Sequence, residues 1–241
     1  MLTKVKTVAL DGMKGELIEI ETDISNGLPY FSIIGMADTS VRESTERVKR
    51  ALVNSGFEYP KGKITVNLSP AYIHKRGSHF DLGIAIGLLL SQEILSCDIQ
   101  NTLFIGELSL DGRILPVKGV LPMIMSVLEK ENSGIKEIIL PKDNCTESYL
   151  FTRNTEVQLR PADNLKDAVS HLQGERIEPF RDFAEIIVND NKLDFSEVKG
   201  LENVKEAIMI AVAGNHNFLM IGPPGTGKTM LAKRIISLLT P

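Results

Sequence analysis

β-Branched residues are interspersed with polar ones in Val5 to Leu10, the pattern turns at Asp11-Gly12 and it resumes in Leu17 to Thr22. This pattern predicts a β-hairpin with a two-residue or slightly longer turn. A third strand, Tyr30 to Ile34, follows the turn pair Asn26-Gly27. The period then changes: Val41, Val48, Ala51 and Leu52 recur at helical spacing between a capping box, Ser40-x-x-Glu43, and Gly56, which suits a helix end. Beyond it the pattern predicts a strand Ile64 to Leu68, a buried helix Asp81 to Ser91, a strand Thr102 to Ile105, and a turn Asp111-Gly112 into Ile114-Leu115. A helix within Val120 to Lys130, strands Glu137 to Leu140 and Val157 to Leu159, and a helix Leu165 to Leu172 complete residues 1–174. Strands and helices interleave irregularly, hairpins included, so an α+β class fits this region better than a doubly wound sheet.

From 175 to 199 the pattern fades into a mixed-charge stretch with Pro179, which predicts a linker with some ordered contacts. Residues 200–241 start a second unit of α/β type. There the spacing predicts a helix Leu201 to Ala213 stopping at Gly214-Asn215, a short buried strand Phe218 to Ile221, and a helix Lys228 to Leu239.

Composition narrows the class without naming a function. Hydrophobic residues at 43% and charged residues at 24% are ordinary globular usage and exclude a disordered or collagen-like chain. The longest apolar run, Leu82 to Leu90, is about half of the roughly 20 residues that a bilayer span needs, so no membrane partner is expected. The N-terminus carries acids among its apolar residues and has no signal-peptide core, which makes the cytoplasm the expected compartment. Cys97 and Cys145 stand outside any CxxC spacing and read as inert thiols. His74, His171 and His216 show no metal-binding spacing.

The formal net charge is −4, so bulk charge points to no nucleic acid and any such surface must be local. One local stretch qualifies. Tyr59 to Phe80 contains no acid but carries Lys61, Lys63, Lys75 and Arg76, with His74, His79, Tyr59 and Tyr72 among them. Cations there could pair with phosphates while aromatic faces stack on bases; the plainer alternative is a solvated loop and strand. Arg42, Arg47, Lys49 and Arg50 are balanced by Glu43 and Glu46 and read as a solvated helix face. Arg113 reads as a hairpin tip, with a DNA contact as the alternative.

The clearest chemical motif is Gly222-Pro223-Pro224-Gly225-Thr226-Gly227-Lys228-Thr229, which fits G-x-x-x-x-G-K-[ST] between a predicted strand and a predicted helix. Its glycines let successive backbone N–H groups turn inward and cradle phosphate at the positive end of a helix. Lys228 supplies a cation to the β- and γ-phosphates, and the Thr229 hydroxyl can ligate Mg²⁺. ATP and Mg²⁺ are the expected ligands. A metal-binding acid and a residue to position water are also needed for hydrolysis and do not occur between Thr229 and Pro241, so this chain alone is expected not to turn ATP over.

Segments 27–57, 63–90, 106–122 and 194–229 together resemble the YifB/ComM family, the magnesium-chelatase-like AAA+ ATPases of bacteria, over essentially the whole chain. The resemblance implies a ribosomal-S5-like α+β domain at 1–174, similar to the proteolytic domain of Lon and the C-terminal domain of RadA, a linker at 175–199, and the start of an AAA+ module at 200–241. It further implies an ATP-driven motor on branched or single-stranded DNA, as in recombination during natural transformation. Asp194 to Gly200 would lie near adenine, and a homohexamer would form, because AAA+ rings bring a neighbour's arginine to the γ-phosphate. Two rivals are a chaperone-like protein remodeller with a dead protease domain and the metal-insertion motor of a magnesium chelatase.

Likeness to Lon raises peptidase chemistry, which needs a serine nucleophile and a lysine base. By that likeness Asp81 stands at the serine position and Leu121 at the lysine position, with Lys118 three residues away. Neither catalytic group is present, so no peptidase is expected; RadA-type domains likewise carry Asp-Leu there, which favours binding. Ser78, His79 and Asp81 have the composition of a triad, but neighbours on one turn point apart, and Ser78 and Asp81 are expected to cap the following helix.

Overall fold

A computed structural model describes residues 2–130, 133–181, 193–214 and 216–238. It divides into two compact units, Met1–Asp182 and Phe183–Pro241. The expected linker is therefore shorter at both ends. Residues 175–181 pack on the first unit: the Phe180 amide donates to the Leu159 carbonyl at 2.8 Å, and Ile177 and Phe180 join its apolar core. Residues 194–198 pack within the second unit through Phe195 and Val198. The middle of that stretch, 182–192, lies outside the described residues, as do Asn215 and Leu239 of the predicted helix ends.

The first unit is a mixed α/β fold around a seven-stranded mixed sheet. Its strands are β1 (Thr3–Asp11), β2 (Lys14–Ser25), β3 (Tyr30–Ile34), β4 (Lys63–Ser69), β5 (Thr102–Phe104), β8 (Glu137–Pro141) and β9 (Gln158–Ala162), in the order β3-β4-β2-β1-β5-β8-β9. A two-stranded ribbon, β6 (Glu107–Leu108) with β7 (Ile114–Leu115), stands apart. The hairpin read from the alternation is β1-β2, closed between Asp11 and Lys14. β2 runs antiparallel to β4, whereas β3-β4 and the side β1-β5-β8-β9 are parallel. Parallel neighbours need crossovers. Those are helical: α3 (Asp81–Ser91) precedes β5, α4 (Val120–Leu128) precedes β8, and α5 (Cys145–Thr152) precedes β9.

The central strand β1 is buried on both faces, so its residues serve two cores. Val5 and Ala9 pack with α2 (Ser44–Asn54), α3 and α6 (Leu165–Leu172) on one face, while Val8 packs with α4 and α5 on the other. Buried Leu, Ile and Val side chains on each face hold the layers, each contributing roughly 1.5–3 kcal/mol on burial.

Three local expectations change. The helix from Ser40 is two helices, α1 (Thr39–Arg42) and α2, and the cap is Asp38, whose carboxylate accepts from the Val41 amide at 2.9 Å and from the Ser40 hydroxyl at 2.8 Å. α5 has no counterpart in the sequence reading. In the second unit, 218–221 forms no strand among the described residues; Leu219 and Ile221 are 80% and 88% exposed. A strand needs a hydrogen-bonded neighbour, and no described residue supplies one.

Candidate nucleotide site and the buried charges of the first unit

The second unit is built around a small apolar core of Phe195, Val198, Ile208 and Leu231. These come from a 3-10 turn (Phe195–Glu197) and the residue that follows it, α7 (Glu202–Ala213) and α8 (Lys228–Arg234). The turn is tied to α8 by Arg234, whose Nε donates to the Asp194 carbonyl at 3.1 Å and whose Nη2 meets Glu197 at 2.7 Å. Hydrogen bonds from the Ser196 side chain and amide hold the Asp194 carboxyl below its usual range. Leu201 adopts a left-handed conformation at φ +61°. Its side chain lies against Gly227, where an added Cβ would touch it at 3.9 Å. Leu201, the residue after the segment expected near adenine, is thus a neighbour of the phosphate-loop motif.

The loop itself has the curl that the motif requires. Gly225 and Gly227 sit at φ +83° and +84°, a region costly for side chains, and Gly227 leads into α8. Among the described residues, none of the amides from Gly225 to Lys228 donates to protein. The Lys228 ammonium folds over the loop and donates to the carbonyls of Gly222 at 2.7 Å and Pro223 at 2.6 Å, and to the Thr226 hydroxyl at 3.3 Å. Thr226 also donates to the Pro223 carbonyl. Among the described residues, every partner of this lysine belongs to its own loop, so an anion could replace them without breaking the core. Donor amides, a mobile cation and the exposed Thr229 hydroxyl fit a nucleotide phosphate with Mg²⁺.

At the position where Lon-like enzymes would carry serine, the structure places an ion pair. Asp81 is 0% exposed at the start of α3. Its carboxylate accepts from Arg47 Nε at 2.7 Å and Nη2 at 3.1 Å, and from the Leu108 amide at 3.2 Å. Arg47 also donates to the Ser40 carbonyl and the Ser44 hydroxyl. Burial pushes the Asp81 carboxyl up, against the pull of Arg47. Arg47 therefore is not part of a solvated face, although its neighbours are: Arg50 and Glu46 pair in the open at 2.8 Å. The expected caps also differ. Ser78 donates to Glu107, and Asp81 makes no cap bond. The signal in the sequence was the acid opening DLGIAIGLLLS, since a charge at the head of a wholly apolar helix demands a buried counter-charge.

The basic stretch is divided. Lys61 and Lys63 are exposed at one end of β4, and Arg76 is exposed beyond the other end, past a strand of seven residues or roughly 20 Å. Lys75 is 0% exposed, its ammonium donates to the Pro70 carbonyl, and burial lowers its pKa. In this conformation it cannot meet a phosphate. His79 is buried as well, its Nε2 at 2.8 Å from the Val8 carbonyl, so that nitrogen carries the proton. Arg113 pairs with Asp111 at the hairpin tip at 3.0 Å. Leu121 is half-buried on α4, and Lys118 is exposed. His171 bridges Glu137, at 3.1 Å, and the Ile177 amide, at 3.0 Å. Among the described residues, no cluster of His, Cys, Asp or Glu is suited to a metal ion, and no helix is long and apolar enough to cross a membrane.

Comparison with known proteins agrees with the two-part architecture. Residues 20–144 match the family model "Subunit ChlI of Mg-chelatase", and residues 194–241 match "Magnesium chelatase, subunit ChlI". The chain is 39% identical over 235 residues to the competence protein ComM of Haemophilus influenzae, covering 95% of this chain and 45% of that one. It is 42% identical over 243 residues to YifB of Escherichia coli, covering 99% and 46%. It thus spans about half the length of these relatives. A more distant similarity, 24% identity over 184 residues and 68% of this chain, reaches the Lon protease of Azospirillum brasilense. By these matches the chain belongs to the magnesium-chelatase ChlI/YifB/ComM family of AAA+ ATPases.

Proposed function

We propose that the second unit binds ATP with Mg²⁺ through Gly222 to Thr229, and that the full-length protein is an ATP-driven motor acting on branched or single-stranded DNA. The observation that carries the nucleotide half is Lys228, whose ammonium, among the described residues, is held only by oxygens of its own loop. On binding, it would exchange the carbonyls of Gly222 and Pro223 for phosphate oxygens, while the loop amides take the remaining lone pairs. Thr229 would hold Mg²⁺, which supplies neutralisation of the phosphate charge.

The competence name of the Haemophilus relative supports the DNA half, and a competence role with it. The first unit would be a Lon-like, S5-like module without peptidase activity, because Asp81 is locked by Arg47 and cannot serve as a hydroxyl nucleophile. Six copies would form the ring in the full-length protein. A protein remodeller is the second reading, favoured by the similarity to Lon proteases. A rate of ATP hydrolysis raised by peptides and not by DNA in the full-length protein would establish it instead. The chelatase motor is disfavoured because a complete Lon-like unit precedes the AAA+ segment.

Titration of the 241-residue chain with a fluorescent ATP analogue tests the site. Lys228→Ala is expected to weaken binding about 100-fold, the loss of a charge-assisted contact worth about 2.7 kcal/mol. Equal affinity in the variant would overturn the assignment. Steady-state turnover by this chain that Lys228→Ala abolishes would refute the expectation that it is inactive alone.

A further inference from the structure

The two edges of the seven-stranded sheet are finished differently. β9 is covered by the chain itself: the Phe180 amide donates to the Leu159 carbonyl, and Arg160 donates to the Ile177 carbonyl. β3 pairs with β4 alone, and its outer side meets no other strand among the described residues. Ile33 lies in the core and Phe31 packs against it, so strand alternation places Tyr30, Ser32 and Ile34 on the opposite face. There Tyr30 is 62% and Ile34 52% exposed, and at the two ends of the strand Leu28 is 89% and Met36 45% exposed. No charged residue occurs from Ile24 to Ala37, and Pro29 precedes the strand. Exposed edges are ordinarily guarded against pairing by charges, prolines or bulges within them, and β3 has no such guard.

We propose that the β3 edge is an interface with a second copy of this chain, formed by antiparallel pairing of the two β3 strands about a two-fold axis at Ser32. The strand is self-complementary about that residue. Tyr30 falls opposite the partner's Ile34, Ile34 opposite the partner's Tyr30, and Ser32 opposite the partner's Ser32. Aromatic, β-branched and hydroxyl side chains matched in this way stabilise neighbouring strands. Sliding the pair by two residues in either direction sets Ser32 against Tyr30 or Ile34 instead. The next strand inward agrees with the same axis. Lys63 is in register with Tyr30 and Asn67 with Ile34, so each Lys63 shares its row with the partner's Asn67 and the two lysines stay in different rows. No like charges meet. The contact is isologous and joins copies in pairs, so it does not itself close the six-copy ring and stands independently of that reading. A strip this small beside a standard interface of roughly 1,600 Å² should give a weak dimer, with a dissociation constant of about 10 µM.

The test is sedimentation velocity of the 241-residue chain without nucleotide, from about 1 to 200 µM, where a reversible monomer–dimer equilibrium is expected. Ile34→Lys puts a charge into both halves of the interface and should raise the dissociation constant about 100-fold, roughly tenfold for each copy, with thermal unfolding unchanged because the side chain is exposed. Leu219→Lys, in the exposed apolar segment of the second unit, should leave the dimer intact. Cross-linking tests the register and does not depend on Ile34→Lys folding. On a Cys97→Ser background, Ser32→Cys should oxidise to a covalent dimer, since directly opposed Cβ atoms lie roughly 4.5–5.5 Å apart, whereas Tyr30→Cys should not. A chain that stays monomeric throughout, or a dimer that Leu219→Lys abolishes and Ile34→Lys does not, would overturn the interface. No covalent dimer from Ser32→Cys, or one from Tyr30→Cys, would overturn the pairing. A monomeric chain whose Ile34→Cys thiol is shielded from labelling only in the full-length protein, or only by an added peptide, would give the edge to that occupant instead of a second copy.

Discussion

Two charged residues open helices in this molecule, and their surroundings give them opposite uses. Asp81 heads α3 in the first unit, sealed from solvent and gripped by Arg47 from another helix. Lys228 heads α8 in the second, with every described partner in its own loop. The first charge is spoken for by tertiary structure, because releasing it would leave a buried carboxylate unpaired. The second can trade its partners for an anion at little cost to the core. The motif position that resembles a protease nucleophile is thus structural, and the loop that resembles a phosphate cradle is available.

Breaking the buried pair should have the largest effect. Arg47→Ala strands Asp81 and should cost about 4 kcal/mol of unfolding free energy in urea, whereas the volume-matched double variant Arg47→Met/Asp81→Leu should recover most of it. An Arg47→Ala loss below about 1 kcal/mol, the range of exposed pairs, would show the pair to be no more than a surface bridge.

Acid comes next. Burial pushes the His79 pKa down to about 4 from 6.5, so between those values the unfolded chain binds more protons than the folded one. Stability should therefore be intact above pH 6.5 and fall on the order of 3 kcal/mol as the pH drops toward 4. His79→Gln, which keeps a donor toward the Val8 carbonyl, should flatten this window; a slope unchanged in that variant would assign it to other groups.

On the other side of the comparison, Lys228→Ala should remove nucleotide affinity with no change in urea midpoint, the reverse of the Arg47 result. A concurrent loss of stability would mean that the lysine props the loop. The smallest effect is reserved for the open pair on α2. Arg50→Ala should cost no more than about 0.5 kcal/mol and vanish in high salt, which contrasts two arginines three residues apart on one helix.

Much of the fold was legible from periodicity alone. The hairpin, β3, α3, β7 and α6 follow directly from alternation, apolar runs and turn residues, because the burial of one face imposes a period of two or near four. α5 was not legible: CTESYLFT has no apolar stripe, and it is held by contacts from elsewhere, including Asn144, which bonds the Val117 backbone in both directions at 2.9 Å. The strand at 218–221 was read from its apolar residues, but a strand is a property of a pair.

For the site, sequence by itself singled out the loop proposed to hold phosphate, since its glycines, lysine and threonine lie in one contiguous segment and need no distant partner. By the resemblance to Lon, it also gave the expectation that Asp81 and Leu121 stand where a Lon-like enzyme needs serine and lysine. Only the tertiary structure decided which cations are free. Lys61, Lys63, Lys75 and Arg76 look alike in one acid-free stretch, yet folding buries Lys75, exposes Arg76 beyond the far end of β4 and leaves the other two exposed at its start, Lys63 in register with Tyr30. Charge is written residue by residue, but exposure and company are set by packing between segments far apart in the chain.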